Sequence, residues 1–210
     1  GQLDFDNFIY GQFPWAILFV VGVIFVILTI AFRSLLLPLK AVLMNGLSVL
    51  AAYGATVFVF QEGHFSGLFG FTATNYLDSI VPVFLFCVLF GLSTDYEVFL
   101  LARVREEFMR TGNNPLSVAV GLEQTGRVIT SAALIMIVIF GAFSFANLVV
   151  IKQLGFAMAV GVLVDATLIR ALLVPAAMRV LGRWNWWPTR TPTPRVPMEM
   201  VASAPAASAE

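Results

Sequence analysis

The sequence predicts an all-α integral membrane protein, a bundle of five membrane-spanning helices. Three observations carry that reading. Of 210 residues, 60% are hydrophobic and 11% charged, whereas soluble domains are nearer half apolar and a quarter charged. Five stretches reach the roughly twenty apolar residues needed to cross a ~30 Å hydrocarbon layer. Basic residues gather in alternate connections, as expected when successive spans run in opposite directions.

The first span runs from about Phe13 to Phe32 and stops at Arg33; residues 1–12, with Asp4 and Asp6, read as the end of an extracytoplasmic segment. The second runs from about Pro38 to Phe60 with Lys40 near its start, and the turn-forming Gln61-Glu62-Gly63-His64 follows. The third covers about Ser79 to Ala102. Between Arg103 and Arg127, Pro115 followed by Leu116, Val118, Val120 and Leu122 predicts a short interfacial helix. The fourth span is about Val128 to Ala146 and the fifth about Lys152 to Pro175, within a membrane domain of residues 13–182. In the tail, residues 183–210, Trp184, Trp186 and Trp187 resemble an interfacial aromatic anchor. Beyond Pro188 the Pro, Ala, Ser and Thr content offers nothing to bury, which predicts disorder.

Arg33, Lys40, Arg103, Arg105, Arg110, Arg127, Arg179, Arg183, Arg190 and Arg195 all fall on one side if the spans alternate. Residues 61–77 hold no Lys or Arg, and the other outer connection holds only Lys152. The amino terminus is therefore expected outside and the carboxyl terminus in the cytoplasm. An outside start without Met, signal peptide or preceding span reads as the carboxyl-terminal part of a longer chain. Cys87 is the single cysteine and His64 the single histidine, and there is no GxxxxGK[ST], HExxH or paired CxxC motif. The expectation is a non-enzyme with no metal, no cofactor and no nucleic-acid partner.

Asp95 lies among about twenty otherwise apolar residues. A carboxylate at that depth costs roughly 2.5–3.5 kcal/mol. Each aliphatic or aromatic neighbour returns about 0.3–0.6 kcal/mol, so the span still inserts. An acid held where its charged form is disfavoured meets the physical requirement for a proton carrier, and the hydroxyl of Tyr96 beside it can link it to water. The alternative is a structural residue paired to an arginine or hydroxyl. On a helix Gly91, Asp95 and Phe99 share a face with Leu92 beside them, and Glu97 points nearly away, close enough to the inner end to reach an arginine. Asp165 is a second buried acid, for which structural ion pairing is the preferred reading. Arg170 follows five residues later, about 140° around a regular α-helix and so a poor partner within the span. Each is expected to look across to other helices, with Arg127 and Glu97 as candidate partners. Asn45, Ser48, Thr130 and Ser131 are expected to hydrogen-bond between helices.

The run Phe90-Gly91-Leu92-Ser93-Thr94-Asp95-Tyr96-Glu97-Val98-Phe99-Leu100 resembles the signature of MMPL transporters, the mycobacterial-membrane-protein-large branch of the RND superfamily. Phe32-Arg33-Ser34, Leu47-Ser48-Val49, Ile129-Thr130-Ser131, Asp165-Ala166-Thr167 and Asn185-Trp186-Trp187 resemble further family positions, while Thr94 stands where many relatives have Met. The resemblance implies the C-terminal part of a two-halved transmembrane domain in a bacterial plasma membrane. It implies that Asp95 and Tyr96 relay protons with a matching pair in the remaining N-terminal half, and that Gly91, Leu92 and Phe99 line the channel. It also implies export of lipids or other hydrophobic compounds, driven by a proton gradient and in contact with membrane lipids. Two other readings remain: a non-transporting lipid-sensing or scaffold protein, and an intramembrane aspartyl protease using Asp95 and Asp165. Gly-Leu-Ser-Thr-Asp lacks the Gly-x-Gly-Asp pattern such proteases carry.

Overall fold

A computed structural model describes residues 2–64, 66–69 and 78–188, and among these it contains five helices long and apolar enough to cross a membrane. Helix α1 (Gln2–Phe32) is followed by α2 (Leu36–Thr56), which widens into a π-helical turn at Val57–Gln61, and by the short α3 (Ser66–Phe69). The long α4 (Ile80–Thr111) and α5 (Asn114–Phe143) form a hairpin. The fifth span is α6 (Val149–Val164), a π-helical stretch (Asp165–Leu173) and α7 (Val174–Leu181), and it ends in a 3₁₀ turn, Gly182–Trp186. Helix α1 starts at Gln2, so the residues expected to precede the span are helical too.

Local chemistry explains the turns. Gly112 ends α4 in the left-handed region, φ 68°, which a glycine adopts without steric cost. Asn113 then caps α5, its side-chain oxygen accepting from Leu116 N at 3.2 Å, with Pro115 in the first turn. The short interfacial helix expected after Pro115 does not form separately. With no proline between Pro115 and Val128, and with Gly121 and Gly126 tolerated inside the helix, α5 runs unbroken from Asn114 into the fourth span.

Helix α4 and the fifth span are the most enclosed elements, while α1 and α5 show most of their surface outward. Small residues let the helices close up. A Cβ on Gly121 would meet Val104 Cγ2 at 2.5 Å across α4–α5, and one on Gly155 would meet Phe140 O at 2.7 Å across α5–α6. A Cβ on Gly161 would meet Leu89 Cδ2 at 2.5 Å and Ala52 Cβ at 3.2 Å. One apolar cluster joins Leu37, Leu101, Val104, Phe108, Met178 and Trp186 at the end of the bundle that carries the α1–α2 and α4–α5 turns; that end also bears Arg33, Arg103, Arg105 and Arg110. A second joins Ala52, Leu85, Leu89, Ala133 and Met158 towards the opposite end.

The Asn185-Trp186-Trp187 segment departs from the expected interfacial anchor. Trp184 and Trp187 are exposed, but Trp186 is buried, stacked on Phe108 at 4.4 Å and donating to Asn114 Oδ1 at 3.1 Å. Asn185 donates to Met178 O at 2.7 Å, while its carbonyl accepts from Ser34 Oγ at 2.6 Å. The segment thus ties the ends of α2, α4, α5 and α7 together. The expected cytoplasmic tail beyond it, residues 189–210, lies outside the described residues.

Candidate functional site

Helix α4 carries two polar faces that point in opposite directions. Ser93 and Glu97, four residues apart, belong to the inward face with Leu100, Leu101, Val104 and Phe108, and all are buried. Asp95, two residues from each, is turned away from them and exposed on the outside of the bundle. Phe99 shares that outer face and is exposed, Gly91 is half-buried with nothing within 4 Å of where its Cβ would be, and Leu92 is half-buried. Among the described residues, none hydrogen-bonds to Asp95 or ion-pairs with it. The deep, enclosed setting expected for Asp95 is therefore not made by these five spans, because the helix turns that residue to an open side.

The inward face meets a polar network. Arg170 Nη2 donates to Asp165 Oδ2 at 2.8 Å and to Ser93 O at 2.9 Å, and its guanidinium lies 5.2 Å from the centre of the Tyr96 ring. Both members of the Arg170–Asp165 ion pair are buried. The two residues pair within one span, contrary to expectation, because the backbone from Asp165 to Leu173 is π-helical. A π-helix bonds i to i+5, which stacks residues five apart. Pro175 supplies a local cause: it has no N–H for the preceding turn and its ring crowds the carbonyl four residues back, so a widened turn relieves both. Arg127, a candidate partner from another helix, is exposed on α5.

Asp165 Oδ1 also receives Ser48 Oγ from α2 at 3.1 Å and Ser93 Oγ at 2.7 Å. Ser93 Oγ is equally close, 2.7 Å, to Asn45 Oδ1, although a hydroxyl has a single hydrogen to give. Thr94 fixes the direction of the Asn45 amide: its hydroxyl donates to Phe90 O at 2.7 Å and so accepts from Asn45 Nδ2 at 3.1 Å. With Asn45 presenting its oxygen, the Ser93 hydroxyl lies between two acceptors, Asn45 Oδ1 and Asp165 Oδ1. A cavity of about 10 Å³ adjoins the network, walled by Ser93, Tyr96, Asp165 and Arg170 with Leu92 and Ile129. That is about the space one water occupies. The Tyr96 hydroxyl points to Met136 Sδ at 3.7 Å. Tyr96 is thus half-buried between the outer face of Asp95 and the inner network.

Residues 4–200 match the MMPL family. The chain belongs to the MMPL family. It is 47% identical over 184 residues to the mycolic acid-containing lipids exporter MmpL11 of Mycolicibacterium smegmatis, covering 88% of this chain and 19% of that protein. It is 48% identical over 184 residues to the haem uptake protein MmpL11 of Mycobacterium tuberculosis, with the same shares covered. Over 189 residues it is 38% identical to the trehalose monomycolate exporter MmpL3 of Mycobacterium tuberculosis, covering 90% of this chain and 20% of that one. The chain therefore spans about a fifth of the length of these curated relatives.

Sequence reasoning singled out Asp95, Tyr96, Glu97, Asp165 and Arg170 but missed Ser93 and Lys40 as parts of the charged interior. The available signal for Ser93 was its four-residue spacing from Glu97. By position Lys40 is a flanking basic residue, yet it is buried on the α2 face that also carries Ala41, Asn45 and Ser48.

Proposed function

We propose that this MMPL chain is the C-terminal membrane portion of a proton-motive-force-driven exporter of lipids or other hydrophobic compounds. The observation that carries the proposal is the split on α4. A carboxyl group, Asp95, stands on an open face beside Gly91 and Phe99, while Tyr96 next to it contacts a buried acid–base network. A surface carboxyl at membrane depth has no stable environment in lipid. It gains one when a second half of the transporter covers that face, and the cover supplies the desolvation that makes proton uptake and release useful. Gly91 leaves room there for a helix, water or ligand.

In this reading Asp95 takes up and releases the proton, and Tyr96 connects it to water and to the Asp165–Arg170 network. Gly91, Leu92 and Phe99 line the channel between the halves. The energy source is the proton gradient, with no other cofactor: one charge crossing 100 mV carries about 2.3 kcal/mol. The arginine-bearing end of the bundle is the cytoplasmic one in a bacterial plasma membrane. The names of the relatives support a hydrophobic or amphiphilic cargo. The chain alone is expected not to transport, because alternating access needs a partner half to move against.

The experiment is transport by the complete protein in proteoliposomes under an imposed pH gradient. Lipid release that rises with the gradient and stops with a protonophore supports the proposal. Release unaffected by collapse of the gradient refutes the proton drive, and a folded bundle that moves nothing favours the scaffold reading.

A further inference from the structure

The buried network ends, towards the arginine-bearing end, in three atoms of ionisable side chains that no hydrogen bond accounts for. Among the described residues, Lys40 Nζ, Glu97 Oε1 and Arg170 Nη1 are buried and lack a hydrogen-bond partner. Lys40 is 5% exposed, Glu97 3% and Arg170 4%, on α2, α4 and the fifth span respectively. Burying such groups unpaired is costly, so a purely structural arrangement would be expected to close into direct ion pairs. Arg170 and Asp165 do so, whereas Lys40 Nζ and Glu97 Oε1 stay without a hydrogen-bond partner. The charged groups that act on Glu97 are Lys40 from α2 and Arg170 and Asp165 from the fifth span.

The order along the helices gives these groups a direction. Glu97 lies one turn beyond Ser93 on the inward face of α4, on the way to the arginine-bearing end. Lys40 lies just over one turn before Asn45 on α2, on the way to the same end. From the middle of the bundle outward the sequence is Asp165 with Ser93 and Asn45, then Glu97 with Arg170, then Lys40.

We propose that Glu97 and Lys40 are a proton-transfer station between the Asp165 network and the cytoplasm, which rests on the proton-driven reading above and adds its exit step. A protonated Glu97 gives its hydrogen to the neutral amine of Lys40 through an intervening water. One O–H bond breaks, one N–H bond forms, and a neutral pair becomes a carboxylate and an ammonium. The ammonium, on its flexible four-carbon stem, releases the hydrogen to water at the arginine-bearing end and the amine returns. Arg170 takes no part in the exchange because a guanidinium does not deprotonate; it holds the network together.

The test is Lys40→Arg in the complete transporter, assayed for gradient-driven proton flux and lipid transport in the same proteoliposomes. Arginine keeps the charge and suits a buried ion pair but cannot give up its proton. The expected result is a folded protein whose proton flux and transport fall at least about a hundredfold, the low end of what one positioned proton-transfer group contributes. Transport within twofold of the parent would overturn the station. The double variant Lys40→Met with Glu97→Gln is the second arm, since it removes both charges and avoids a lone buried one. Full activity there also overturns the proposal, and a folded but inactive double variant supports it. A parent protein indifferent to the gradient would instead refute the proton drive itself.

Discussion

Arg170→Met tests the buried pair in the π-helical turn. The substitution removes the 2.8 Å bond to Asp165, the 2.9 Å bond to Ser93 O and the contact over Tyr96. It leaves the Asp165 carboxylate buried with only Ser48 and Ser93 facing it. Breaking one side of a buried pair costs about 3–5 kcal/mol. The stacked arginine adds about 0.5–2 kcal/mol, so a total of about 3.5–7 kcal/mol is expected. Asp165→Asn, which strands the guanidinium, is expected to cost about 3–5 kcal/mol. The double variant leaves no charge stranded, so its cost should fall below that of either single change. Equilibrium unfolding in detergent micelles, read by circular dichroism, measures all three. If Arg170→Met costs under about 1 kcal/mol, or the two single costs add within about 0.5 kcal/mol, the pair is not coupled as the geometry requires.

Trp186→Ala should destabilise the bundle by about 3–5 kcal/mol, since it empties the buried stack on Phe108. Trp187→Ala, at an exposed position, should stay within about 0.5 kcal/mol, and equal effects in the same unfolding assay would contradict the clamp. Gly155→Ala should cost about 1–3 kcal/mol because the new methyl meets the α5 backbone, which cannot swing aside. Gly91→Ala should leave the stability of the chain almost unchanged yet lower transport by the complete protein. Unaltered transport would remove Gly91 from the channel.

Hydropathy and the placement of arginines made the five spans legible, because lipid leaves the backbone few alternatives to a helix. Pro115 marked a helix start, and α5 does begin there. The interior of the site was harder. Asp165 and Arg170 look mismatched on an α-helix, and only the widened turn before Pro175 brings them together, a change of helix type that periodicity cannot reveal. Glu97 and Lys40 looked like residues near a span end, free to reach an arginine or the interface, but the long helices α2 and α4 turn them inward. Trp186 differs from Trp184 and Trp187 only in what it packs against, and Phe108 and Asn114 are far away in sequence. Asp95 was recognised as unusual from its neighbours. Its open setting depends on how α4 rotates within the bundle, which composition does not fix.

The proton-carrying role of Asp95 is tested most directly by Asp95→Asn in the complete transporter. The amide keeps the shape of the side chain and removes its proton exchange. Because Asp95 has no hydrogen-bond or ion-pair partner among the described residues, the substitution should leave the unfolding midpoint of this chain unchanged. Under an imposed gradient in proteoliposomes, substrate transport and coupled proton uptake should both vanish. A folded Asp95→Asn protein that transports at the parent rate would contradict the account.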